Sequence, residues 1–144
     1  MSCLGRCSQT VALPVVSAMG VECAILPTAV LSTHTSFPDF RCLDLTDQLL
    51  PVARHWKAQG VRFDALYTGY LASDRQVAVV LELLELLREE GTLLFVDPAM
   101  ADHGKLYAGF GPEFPALMAQ VVSKAQITVP NITEASLMTG LPYR

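Results

Sequence analysis

The stretch that most constrains the fold is Leu94-Phe95-Val96-Asp97-Pro98-Ala99-Met100-Ala101-Asp102-His103-Gly104-Lys105. An apolar run breaks off at an acid and a proline, and a loop with a second acid follows. A strand buried on both faces of a parallel sheet reads this way, without polar alternation. In such sheets the carboxyl ends of the strands open onto the ligand crevice, so Asp97 and Asp102 are candidate ligand-binding carboxylates.

The flanking sequence supplies the rest of an alternating pattern. Residues 1–8 read as a loop around Gly5. Residues 9–19 are apolar at nearly every position and stop at Gly20, which predicts a short, largely buried helix with Pro14 near its first turn. Residues 21–27 read as a buried strand and 28–40 as a polar loop. Leu45, Leu49, Val52 and Trp56 recur at helical spacing, predicting a helix over 44–59 that Gly60 stops. Residues 64–67 read as a strand. Ser73 or Asp74 then caps a long helix running to Glu90, with Val77, Val80, Leu81, Leu84 and Leu87 on one face and Gly91 at its end. Residues 92–96 form the opening strand, 113–125 a helix, 126–129 a strand, and 131–139 a helix that stops at Gly140. The tail, residues 141–144, carries no capping element. Helix and strand thus alternate along the chain, the signature of a three-layer α/β fold with a mainly parallel sheet.

The chain has 144 residues, enough for one domain with a real core. Hydrophobic residues make up 51% and charged residues 17%, a globular balance. Net charge is -4 and no basic run occurs, which argues against nucleic acid as a partner. Pro14, Glu22 and Pro27 interrupt the longest apolar windows, which argues against a membrane span. The start lacks a basic-then-apolar signal pattern, so a cytoplasmic location is expected. Cys3, Cys7, Cys23 and Cys42 match no zinc spacing and read as reduced thiols.

Three loops fall at strand carboxyl ends: 28–40, 97–105 and 130–134. They offer Thr35, Ser36, Asp97, Asp102, Asn131 and Glu134. Carboxylates and an amide on one rim suit magnesium and phosphate, because a hard cation prefers oxygen and keeps several waters. Asn131 and Glu134 lie three apart at a helix start, so on spacing alone they also read as an N-cap and its capping-box partner. Tyr67, Tyr70 and Tyr107 can stack on a flat ring or simply pack. Glu82, Glu85, Glu89 and Glu90 read as a solvated face. No Walker-type glycine loop and no nucleophilic His, Ser and acid set stands out.

Five motifs in register resemble bacterial pyridoxal/pyridoxamine kinases, the vitamin B6 kinases of the ribokinase-like superfamily. They are Gly5-Arg6-Cys7-Ser8 with Ala12-Leu13-Pro14 and Ser17-Ala18-Met19-Gly20; Leu26-Pro27-Thr28 through His34-Thr35; Tyr67-Thr68-Gly69-Tyr70-Leu71; Val96-Asp97-Pro98-Ala99-Met100; and Pro130-Asn131-Ile132-Thr133-Glu134. The resemblance implies ATP-dependent phosphorylation of the 5′-hydroxymethyl group of pyridoxal, pyridoxamine or pyridoxine, with magnesium or another divalent cation. It places Thr35 and Ser36 on the vitamer-binding loop. It places Asp97 and Asp102 near the nucleotide phosphates, with Asn131 and Glu134 on a motif that tunes magnesium and phosphate binding. Asp97 and Glu134 become the expected metal-side acids.

The sequence departs from the family at Val129, where Thr is usual, at Thr33 and Ser36, where Asn and Gly are common, and at Ala101, where Gly is usual. The resemblance also implies a partial, truncated domain over 1–144. The family's first strand is expected ahead of Ser2. Its glycine-rich anion hole and catalytic aspartate are expected beyond Arg144, so no catalytic residue is assigned here. Little activity is expected of the chain alone. The alternatives are a hydroxymethylpyrimidine kinase of the same superfamily, or a non-catalytic fragment that binds a ligand or a partner. Open sheet edges and uncovered apolar faces make self-association, such as a homodimer, an expected state.

Overall fold

The computed structural model describes residues 1–142; Tyr143 and Arg144, the end of the uncapped tail, lie outside the described residues. The chain divides into two compact units, Met1–Val52 and Ala53–Arg144.

In the unit Met1–Val52, helix α1 spans Gln9–Ala18, strand β1 Ala29–Leu31 and strand β2 Cys42–Asp44, and helix α2, Thr46–Ala58, begins. β1 and β2 pair antiparallel, with Val30 opposite Leu43. Ser2 bridges Leu31 in parallel. The Leu31 amide donates to the Met1 carbonyl at 2.8 Å, and the Cys3 amide donates to the Leu31 carbonyl at 2.8 Å. The first three residues are therefore strand-like rather than loop.

Several expectations fail in this unit. Helix α1 forms where expected, but none of its residues is buried, and Pro14 lies inside it rather than in its first turn. Residues 21–27 are not a strand, and Val21 is exposed. The strand lies a few residues later, at Ala29–Leu31, inside the segment read as a polar loop. Its partner β2 was unread because all three of its residues are exposed, which leaves no alternation to detect. At the start of α2, the Asp44 carboxylate accepts the Thr46 amide at 2.7 Å, so Asp44 precedes the helix it was expected to begin.

In the unit Ala53–Arg144, β3 (Ala65–Thr68), α3 (Asp74–Leu87), β4 (Leu93–Val96), the short strands β5 (Ala101–Asp102) and β6 (Lys105–Leu106), α4 (Phe114–Val122), β7 (Ile127–Thr128) and α5 (Ile132–Thr139) follow in order. The strands β3, β4 and β7 form a parallel sheet in that order. Tyr67 lies opposite Phe95, and Phe95 opposite Ile127. The α/β expectation therefore holds. The two antiparallel pairs, β1–β2 and β5–β6, were not anticipated.

The Ser73 hydroxyl caps α3 by accepting the Gln76 amide. That helix stops at Leu87, short of the expected Glu90, because Arg88 turns extended. The Thr92 hydroxyl accepts the Glu89 amide at 3.1 Å and donates to the Phe63 carbonyl at 3.0 Å, fixing the chain outside the helix. One sheet face presents Leu94 and Val96, both fully buried. The core of this unit also holds Val77, Val80, Leu84 and Leu87 of α3, and Phe114, Met118 and Val121 of α4. The two helices pack on each other. Pro115 sits at the start of α4, where its missing N–H costs nothing. The other sheet face carries Tyr67, Leu93 and Ile127, which stay exposed.

Candidate active-site rim

Asp97 is the first residue after β4. Its amide donates to the Thr68 carbonyl at 3.0 Å, which continues the parallel ladder and fixes the carboxylate at the strand's carboxyl end. The Tyr67 hydroxyl bonds that carboxylate, and the Tyr67 ring stands edge-on to Phe95 at 5.0 Å. Partial burial, and then the nearby Glu134 charge, push the Asp97 carboxyl above the usual carboxylate range; the Tyr67 bond pulls the other way. Burial also raises the Tyr67 phenol, with the Asp97 charge adding to it.

The N-terminus of α5 grips the loop that follows Asp97. Glu134 is 3% exposed. One of its oxygens accepts the Met100 amide at 3.0 Å and the Ala101 amide at 3.5 Å. The other accepts the Asn131 amide at 2.9 Å. The Asn131 side chain accepts the Glu134 amide at 3.0 Å and donates to the Ala101 carbonyl at 2.8 Å. Thr133, 2% exposed, accepts the Gly104 amide at 2.9 Å. The capping box read from spacing is therefore present, and it also ties α5 to the acid-bearing loop.

Asp102 stands on the β5–β6 hairpin. Its carboxylate accepts the His103 amide at 2.8 Å and lies 3.5 Å from the His103 ring. His103 and Gly104 both have positive φ, 49° and 76°, as a two-residue hairpin turn of the primed kind requires. Tyr107 follows, its amide donating to the Met100 carbonyl at 2.9 Å. Burial raises its phenol, and the charges of Glu134, Asp102 and Asp97 raise it further, so this hydroxyl lies within the field of all three acids. The sequence had marked Tyr107 only as a candidate for ring stacking.

Thr35 and Ser36 belong to the other unit, on an exposed loop between β1 and β2. The Ser36 amide donates to His34 Nδ1 at 3.3 Å, and the His34 ring packs edge-on against Phe37 at 4.7 Å. Gly5 closes on the same histidine: a Cβ there would stand 2.8 Å from His34 Cδ2, and its φ is 123°. The Gly5 motif and the His34-Thr35 loop are thus one packed feature.

The donor set fits one kind of cation. Among the described residues, no group of three or more His, Cys, Asp or Glu gathers to cage a metal. Magnesium often takes only one or two carboxylates and fills its shell with water and phosphate oxygens. Asp97, half-exposed at a strand end, suits that arrangement. The two Glu134 oxygens already accept backbone donors. A recess of about 240 Å³ lies at the opposite end of the strands, lined by Arg62, Asp64, Glu89 and Thr92. It is a solvated notch beside the exposed Arg62–Glu89 pair, remote from the chemistry expected at strand carboxyl ends.

No protein-family model matches the chain. It is 32% identical to a pyridoxal kinase of Arabidopsis thaliana over 129 residues, which is 85% of this chain and 41% of that protein. A provisionally assigned phosphomethylpyrimidine kinase structure from Bacteroides thetaiotaomicron is 42% identical with a TM-score of 0.96, matching 100% of this chain and 50% of that one. A pyridoxal kinase structure from Lactobacillus plantarum is 39% identical with a TM-score of 0.91, matching 100% of this chain and 51% of that one. The parallel sheet with acids at its strand ends therefore has the ribokinase-like fold of these solved structures. The chain spans about half the length of the proteins it matches. Over that half, it is a relative of the pyridoxal/pyridoxamine kinase family.

Proposed function

We propose that this chain carries the vitamer loop and the nucleotide-phosphate rim of a vitamin B6 kinase. The reaction would move the terminal phosphoryl group of ATP to the 5′-hydroxymethyl group of pyridoxal, pyridoxamine or pyridoxine. The observation that carries this reading is the superposition of the whole chain on half of the Bacteroides protein, which was also crystallised with pyridoxal. That form favours a B6 vitamer over the hydroxymethylpyrimidine alternative, to which the protein's provisional phosphomethylpyrimidine kinase assignment is only related.

Each residue has a role in this reading. Thr35 and Ser36 contact the vitamer ring. Asp97 would hold a magnesium ion that supplies charge neutralisation to the nucleotide phosphates, with Asp102 and Tyr107 bordering the same rim. Asn131 and Glu134 bind from behind, and Glu134 adds negative charge on the metal side. A bound divalent cation would neutralise developing phosphate charge. Burial and the nearby Glu134 charge disfavour the Asp97 carboxylate, a strain that a bound cation would relieve. The reading includes a cytoplasmic location, where ATP and magnesium are supplied.

Transfer also needs a base for the attacking hydroxyl and donors for the developing charge. No residue here is assigned to either task, so the chain is proposed to be a partial kinase domain. The test is ATP-dependent formation of pyridoxal phosphate by the purified chain, with hydroxymethylpyrimidine as competitor. The expected result is pyridoxal binding with little or no turnover. Turnover near that of a full-length relative would sink the partial-site reading, and preferential binding of the pyrimidine would sink the vitamer assignment.

A further inference from the structure

The hairpin that carries Asp102 is too small to hold itself. Its strands β5 and β6 have two residues each and pair with each other alone. An isolated two-stranded hairpin is marginal in water even when it is longer. Its turn is also costly, since His103 takes a φ of 49° without being a glycine. The Asp102 carboxylate accepts the amide of its own neighbour, His103. That local bond moves with the turn, so the hairpin by itself does not fix where the acid stands.

Helix α5 holds the hairpin at two points. At the base, Glu134 accepts the Ala101 amide and the Asn131 side chain donates to the Ala101 carbonyl. At the tip, the Thr133 hydroxyl accepts the Gly104 amide at 2.9 Å, across 29 positions of sequence. Asp102 lies between the two holds. Thr133 is buried, where a side chain without a hydroxyl would avoid the cost of desolvating a polar group. Gly104 is exposed, so water can pair its amide once the threonine lets go. The bond is therefore not needed to satisfy the backbone, and what it fixes is the place of the turn. We propose that Thr133 is a positioning residue for Asp102: its hydroxyl clamps the hairpin tip and so sets where that carboxylate stands on the nucleotide-phosphate rim. The proposal rests on the phosphate-rim reading given above. The Tyr107 hydroxyl, which lies in the field of Asp102 together with Asp97 and Glu134, marks the same hairpin as part of that rim. Asn131 and Glu134 thus hold the base of the hairpin, and the threonine between them holds its tip.

The experiment compares Thr133→Val, Thr133→Ser, Asp102→Asn and the double variant Thr133→Val/Asp102→Asn with the parent chain. Hydrogen exchange is read at the Gly104 amide by NMR, and magnesium-ATP affinity by calorimetry. Thr133→Val should speed exchange at Gly104 at least about tenfold. It should also weaken magnesium-ATP binding at least about fivefold, with Thr133→Ser restoring both to within about twofold of the parent. In the Asp102→Asn background the valine should cost no further affinity, because the two residues then act as one unit. Circular dichroism and urea unfolding check that each variant keeps its fold, and Thr133→Ala repeats the test with a smaller side chain should the valine not pack. Parent-like affinity in Thr133→Val overturns the proposal. So does an equal loss in the Asp102→Asn background, since Thr133 would then act elsewhere, and so does a serine that fails like the valine, since shape and not the hydroxyl would matter. A parent chain that binds no magnesium-ATP while its Gly104 amide is protected removes the phosphate-rim reading, and the positioning role with it. The parent measurement alone separates that failure from a Thr133 that has no influence on a chain that does bind.

Discussion

The Glu134 carboxylate accepts the backbone N–H of Met100 at 3.0 Å, across 34 positions of sequence. A buried acid is thereby held by main-chain donors from the loop behind Asp97 and from its own helix start. Losing an acceptor from buried donors costs about 1–3 kcal/mol. Glu134→Gln keeps the shape but turns one acceptor oxygen into a donor, which faces either the Met100 amide or the Asn131 amide. The expected loss is of that size, read as a lower urea midpoint with an unchanged slope. Glu134→Ala should lose more. An unchanged midpoint in both variants would show that the grip contributes nothing.

Asp97 sets a pH dependence of definite sign. Its folded-state pKa is raised, by burial first and then by the Glu134 charge. The folded protein therefore holds that proton more tightly than the unfolded chain does. Stability should fall as pH rises from the ordinary carboxylate range through the raised folded value, and stay lower above it. The group is half-exposed, so solvent screening keeps the effect below about 1 kcal/mol. Asp97→Asn should remove this slope and stabilise the protein at neutral pH, measured by urea unfolding across a pH series. If the variant shows the same slope as the parent, another group is responsible. The same variant should weaken magnesium-nucleotide binding in calorimetry, the opposite direction to its effect on stability.

Phe114 anchors the start of α4. It is 1% exposed and stacks on Phe110 with ring centroids 3.9 Å apart. Truncating a buried phenylalanine costs about 3–5 kcal/mol through lost transfer energy and the cavity left behind. Phe114→Ala should lower the unfolding midpoint accordingly, and Phe114→Leu should lose clearly less. Equal losses would mean that the cavity collapses in both variants.

How much of this was legible in the sequence differs by element. The strand β4, the helix α3 with its Ser73 cap, and the helix α5 from Asn131 to Gly140 followed from local patterns. In each, an apolar run or face and a cap residue point the same way. The segment 21–27 misled because a run of apolar residues carries no sign of whether another strand is available to pair with it. Strands β1 and β2 are three residues each and β2 is exposed throughout, so they leave no periodicity. The β5–β6 hairpin turns on His103-Gly104, a weaker signal than Asn-Gly.

For the site, the positions of Asp97, Asn131 and Glu134 could be read, and so could the capping box. The bonds from Glu134 to Met100 and Ala101 could not, because they join segments more than thirty residues apart. The Tyr67–Asp97 bond and the place of Tyr107 among three acids also depend on tertiary geometry. Neither side chain's neighbours follow from its local pattern.

The grip of Glu134 also decides what can come loose separately. Helix α5 cannot lift away without exposing the amides of Met100 and Ala101, and the loop cannot rearrange without taking those donors from Glu134 and the Ala101 carbonyl from the Asn131 side chain. The two segments therefore open as one cooperative piece. The exchange of those two amides is a built-in gauge of that event, readable whether or not any ligand is bound.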